Sequence, residues 1–172
     1  AKKDYATANH ISRELFAFEE SLLKNKSPLY NGVYYAIALQ SLISSEMMMK
    51  NFENLPALLE KLLQQTHREK RVTVRNQYFY CLRSLDYYWR TGRHKAGLDF
   101  FIKAKRMLET LKKENRNFTY ALFLLARKIM FDYSAGNYTQ AMLGIADMNA
   151  MDIKQHAPLF AKQALWIELL IH

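Results

Sequence analysis

Apolar residues in this chain recur three and four positions apart in successive segments, the period of an α-helix. Ile11, Leu15, Phe18 and Leu22 fall this way in a first predicted helix over 7–24, which Thr7 is placed to cap and Pro28 keeps from continuing. A second spans 31–50. After Asn51 a third restarts behind Asn54, with Pro56 in a first turn where the amides lack intrahelical partners anyway. The fourth, over 72–90, carries Val74, Tyr78, Leu82, Leu85 and Tyr88 on one stripe and closes at Gly92, a residue suited to the left-handed conformation. The fifth, 95–113, is the clearest amphipathic case, with Ala96, Phe100, Ala104, Met107 and Leu111 in line. Lys112 and Lys113 lie at the negative end of its dipole. Asn117 is placed to cap a sixth helix ending near Gly136, and a seventh (138–148) and an eighth (157–171) follow. Connections this short make successive helices antiparallel.

Composition narrows the class. A chain of 172 residues with 5 glycines and 3 prolines has too few turn formers for a sheet protein, so the expected class is all-α. Half the residues are hydrophobic and 24% are charged, which is the balance of one globular domain over 1–172. Cys81 is alone, so no internal disulfide framework exists and a reducing compartment is expected. No run approaches the roughly 20 apolar residues of a bilayer span. The opening AKKDYATANH lacks the apolar stretch of a signal peptide. Cytoplasmic is the default expectation, and the start at Ala1 reads as a trimmed chain.

Charge changes the picture once it is located. The formal net charge is +9, and positions 61–116 hold 15 Lys and Arg against 5 Asp and Glu, an excess of ten. All the surplus positive charge therefore lies in the middle third, which points to acidic partners or phosphate backbones.

The helix breaks are themselves periodic. YYWRTGRHKAGLDFF around Gly92 resembles FDYSAGNYTQAMLGI around Gly136, and EMMMKNFENLPALLEKL around Asn51 is a weaker copy. Such units cannot cover their own apolar faces and stack to bury them. YSAGNYTQA, with Tyr133, Gly136 and Ala141, and YYWRTGRHKAG, with Tyr88, Trp89, Gly92 and Gly97, resemble the turn of a tetratricopeptide repeat. The Asn51 copy departs from it, with Asn for Gly and Pro56 at the small-residue position; Leu85 and Ile129 also stand where the family has a small residue. The resemblance covers about 31–148. It implies a right-handed α-α superhelix of about eight antiparallel helices, with repeat units at 31–68, 72–114 and 117–149 and unpaired helices at 7–24 and 157–171. The first helix then lacks a partner before it and the eighth lacks one after it. Trp166, Leu169 and Leu170 form an apolar contact face on the eighth, so either the protein continues or this face meets another chain, as in self-association.

The resemblance also implies a concave groove lined by the first helix of each pair. By position it takes in Ala38, Ser41, Ser45 and Met48; Phe79, Leu82, Asp86, Trp89 and Arg90; and Phe123, Ala126, Met130 and Tyr133. Arg83 joins Phe79, Asp86 and Arg90 on one stripe of the fourth helix. The aromatics there are read first as packing against two neighbouring helices, with the groove as the alternative. Met47, Met48 and Met49 read mainly as core, and Glu19 and Glu20 as a solvated face. His10, His67, His94, His156 and His172 are scattered, without metal spacing and, for His67 and His94, at exposed helix ends. No phosphate loop or nucleophile motif is present, so neither catalysis nor a cofactor is expected. The expected function is a protein- or peptide-binding scaffold with a partner of acidic character. The alternatives are nucleic-acid binding through the basic middle and a regulatory module of a larger signalling or transcription protein. No membrane partner is expected.

Overall fold

The computed structural model describes residues 4–68, 73–111 and 118–150. Among them it contains no strand and seven helices: α1 (Tyr5–Lys24), α2 (Gly32–Met48), α3 (Leu55–Arg68), α4 (Thr73–Arg90), α5 (His94–Glu109), α6 (Phe118–Ser134) and α7 (Tyr138–Ala150). The protein is all-helical. The predicted eighth helix, with Trp166, Leu169 and Leu170, lies outside the described residues, as do Lys112, Lys113 and Asn117.

Helix ends follow local chemistry. Asn31 caps α2 by accepting from the Val33 amide at 2.9 Å. The cap of α1 is Asp4, which accepts from the Thr7 amide at 3.1 Å, so Thr7 is the capped residue and not the cap. At the C-terminal ends of α2, α4 and α6 one residue turns left-handed, at Lys50, Gly92 and Gly136. The next amide then reaches back across the last turn: Asn51 to the Glu46 carbonyl, Arg93 to Tyr88, and Asn137 to Asp132, at 2.8–2.9 Å. The weaker copy thus breaks one residue before the expected Asn51. Lys50 adopts there a backbone that glycine takes at no steric cost.

Contacts divide the chain into two compact units, Ala1–Arg83 and Ser84–His172, with the division inside α4. In the first, α1 and α2 are antiparallel: Asn9 reaches Ser45 and Glu46 at one end, and the Phe16 and Tyr35 rings meet at 5.4 Å nearer the other. α3 folds back on α2, where the buried Gln65 donates to the Gly32 carbonyl at 3.2 Å. Gln40 donates to Asn76 at 2.7 Å and Arg83 to Ser44 at 3.4 Å, so α2 and the start of α4 run parallel.

α1 is seated the opposite way from its apolar stripe. Ile11, Leu15 and Phe18 are 56%, 43% and 57% exposed, while Asn9, Phe16 and Glu19 are buried. Asn9 is held by the buried Glu46 of α2, while Glu19 Oε2 is buried without a hydrogen-bond partner among the described residues. Asn9 donates to Glu46 at 3.0 Å, and Arg13 pairs with the same carboxylate oxygen at 2.6 Å. Glu20 pairs with Lys61, whose ammonium also stands over the Phe16 ring. Glu19 is therefore not on a solvated face, and burial raises its carboxyl pKa above the ordinary value.

In the second unit α5 buries Gly97, Phe100, Ala104 and Leu108. The expected stripe holds except that Ala96 is exposed and Gly97 takes its place. A Cβ at Gly97 would strike the Phe131 ring, which explains the glycine at this approach of α5 to α6. α6 and α7 share a core of Leu122, Ala126, Ile129, Ala141, Ile145 and Met148. Asp86 pairs with Arg127, and the Trp89 and Phe131 rings meet at 5.9 Å, so the end of α4 and α6 run parallel.

Candidate interaction surfaces

Three of the expected groove positions on α2, Ser41, Ser45 and Met48, reach the surface to different extents. Ala38 and Ala126 are core, Ser41 is exposed, and Ser45 is half-buried. Ser45 accepts from Asn9 at 3.1 Å and donates to the Leu42 carbonyl at 2.9 Å, so its hydroxyl is committed to the α1 contact. Around Ser41 the exposed line continues through Tyr34, Ile37 and Met48, at positions three, four and seven apart that share one helix face. Of the three successive methionines only Met47 is core; Met48 and Met49 are exposed.

Beside this line stands the start of α4. Phe79 and Arg83 are half-buried, with the guanidinium carbon of Arg83 5.1 Å from the Phe79 ring centre. The same guanidinium donates to Ser44, a residue that the positional reading did not single out. Ser44, Phe79 and Arg83 thus converge, with the cation over the ring and beside α2. Serine hydroxyls on the same helix as exposed Ile37 and Met48, together with the guanidinium that reaches Ser44, can hydrogen-bond a peptide backbone or carboxylate while apolar side chains rest along α2.

Leu82, also expected in the groove, is half-buried; the remaining groove positions belong to the second unit. Asp86 accepts from Arg127 Nε at 2.7 Å, which ties α4 to α6. Arg127 also donates to Met130 Sδ at 3.3 Å. Arg90 is exposed, and Tyr133 is half-buried with its ring 5.6 Å from that of Tyr138. Trp89 packs against His94 and Phe131. His94 is therefore wedged among aromatic rings and is not an exposed polar end, and its Nδ1 is buried without a hydrogen-bond partner among the described residues.

A second surface lies on α5 and α6. A cleft of about 390 Å³ is lined by the apolar Leu98, Phe101 and Ile102 and by the charged Lys105, Arg106, Glu109 and Lys128. The sequence signal for it was present but small: Ile102 is an aliphatic residue on the charged side of the fifth helix, among Lys103, Lys105 and Arg106. Lys95, Lys103, Lys105 and Arg106 are exposed, as their avoidance of the apolar stripe requires.

Among the described residues no group of three or more His, Cys, Asp or Glu side chains could hold a metal ion. No helix among them is long and apolar enough to cross a membrane. No family model, no curated protein and no solved structure matches this chain.

Proposed function

We propose that the chain is a non-catalytic, peptide-binding helical-repeat protein of tetratricopeptide-like build, its helix pairs stacked into a right-handed superhelix. The observation that carries the reading is the outward face of α2, where Tyr34, Ile37, Ser41 and Met48 line up exposed beside the Ser44–Arg83–Phe79 cluster. The parallel course of the first helices within each unit, and the shared left-handed turns at Lys50, Gly92 and Gly136, support the repeat reading. Apolar anchors beside a stacked guanidinium suit an extended or helical peptide with a carboxylate near an aliphatic or aromatic side chain. The buried lone thiol of Cys81 accords with a reducing, cytoplasmic setting.

The test is a peptide-display selection against the whole chain, followed by titration of the selected peptides. Tyr34→Ala and Arg83→Glu, made separately, are expected to weaken binding about tenfold or more, the scale of a buried anchor at an interface. Selected peptides that bind both variants as tightly as the parent would remove the α2 face from the function.

A second reading is favoured by the exposed Lys95, Lys103, Lys105 and Arg106. They suit weak, sequence-blind contact with nucleic-acid phosphates, in the micromolar range or poorer. An oligonucleotide titration measures it: each phosphate contact contributes a slope of about −0.9 in log affinity against log salt on duplex, or about −0.7 on single strands. Submicromolar, sequence-dependent binding abolished by a double Arg83→Glu, Arg90→Glu variant would make nucleic acid the principal ligand.

A further inference from the structure

The cleft on α5 and α6 shares no residue with the α2 face and has a different chemistry. Its apolar lining is aliphatic and aromatic: Leu98 and Phe101 are half-buried, and Ile102 is 53% exposed. Three cations and one carboxylate line the rest of it. Their commitments differ. Lys128 lies 2.6 Å from the buried Asp132 carboxylate and stays there, since leaving would strand that charge. Lys105 meets Glu109 only at 3.8 Å, with both side chains more than half exposed, so solvent screens the pair and it exchanges partners at little cost. Arg106 has no ionic partner among the described residues.

An aliphatic lining beside an uncommitted guanidinium and a loosely held ammonium calls for a ligand that is apolar on one side and anionic next to it. Four of its lining residues, Leu98, Ile102, Lys105 and Glu109, are spaced four and three apart, the spacing by which helices interlock. It lies open along a helix surface and does not enclose a ligand on most sides, as small-molecule sites do. Phosphodiester chains would satisfy Arg106 but leave Ile102 and Leu98 against a polar backbone. We propose that the α5–α6 cleft is a docking site for an acidic amphipathic helix of a partner protein, which seats an aliphatic or aromatic anchor on Ile102 and Leu98 and places carboxylates on Arg106 and Lys105.

This site is independent of the α2 face, and the experiment separates the two. A phage library of amphipathic helical peptides, randomised at every outward position, is selected against the whole chain. The selected peptides are then titrated by fluorescence anisotropy against the parent, Ile102→Ser, Ile102→Leu, Arg106→Glu and Tyr34→Ala. Ile102 and Arg106 are exposed, so their variants keep the parent's helical circular dichroism. The expected result is a class of peptides rich in Asp and Glu beside Leu, Ile or Phe. Their affinity falls about tenfold or more with Ile102→Ser and with Arg106→Glu, while Ile102→Leu and Tyr34→Ala leave it unchanged. Three results overturn the proposal: no selected peptide depends on the cleft; the acidic peptides respond to Arg106→Glu but not to Ile102→Ser; or an oligonucleotide displaces them with equal potency.

Discussion

α1 and α5 carry the same kind of apolar stripe and seat it in opposite directions. α5 turns Phe100, Ala104 and Leu108 to the core and leaves its lysines in water. α1 leaves Ile11, Leu15 and Phe18 in water and turns Asn9, Phe16 and Glu19 inward. The difference lies in what each helix meets. α5 faces the Phe131 ring at a distance only glycine allows, an apolar wall that rewards an apolar face. α1 faces Glu46, which is 1% exposed and accepts from both Asn9 and Arg13. A buried carboxylate demands donors, and the helix that supplies them is held by its polar side. A stripe therefore says that a helix is two-faced, and the neighbour decides which face is inside.

Four measurements break or sharpen this contrast, from the largest effect down. Phe100→Ala in α5 is expected to cost about 3–5 kcal/mol in denaturant unfolding, whereas Phe18→Ala in α1 stays within about 0.5 kcal/mol. Equal losses at the two sites would mean that the outward stripe of α1 is covered, and sedimentation of the parent would then show association.

The polar lock of α1 is next. Asn9→Leu removes a donor from Glu46 and is expected to cost about 1–3 kcal/mol. Adding Glu46→Leu should recover much of that loss, because replacing both partners leaves no stranded buried acceptor, and Arg13, half exposed, returns to water. Additive losses in the double variant would show that the α1 seat does not depend on this pair.

Close packing in the second unit gives the third. Ala104 and Ala141 are fully buried, and Phe at either is expected to overpack at about 1–3 kcal/mol, read as a lowered melting temperature. If both variants melt like the parent, neither α5 nor α7 approaches its neighbours as closely as the structure has them.

The smallest effect is electrostatic and specific to α1. Burial raises the Glu19 carboxyl pKa, so the folded chain holds that proton at a pH where the unfolded chain has released it. Stability from this group is present in acid and is lost as pH rises from the ordinary carboxylate value through the raised one. Glu19→Gln should flatten that decline and leave the stability at acid pH unchanged. A pH series of melts that is identical for parent and variant would place Glu19 in water.

The sequence by itself determined the helical class and most helix boundaries to within two residues, whereas α5 ends at Glu109, four residues before the expected 113. Period, caps and breakers act over three to five residues of one chain, so Asn31, Gly92 and Gly136 do in the structure what their chemistry requires. It also marked which α5 cations stay in water and two of the three aligned helix breaks, at Gly92 and Gly136. The third fell at Lys50 because a left-handed residue is set by the hydrogen bond it permits, here from Asn51 to Glu46, and not by composition alone. Only the tertiary structure decided which way α1 faces, that Ser44 rather than Ser45 meets Arg83, and that Ile102 lines a cleft together with Lys128. Each of these depends on a side chain 30 or more positions away or on another helix. Burial of charge and apolar surface is a property of such pairs, and no local period contains it.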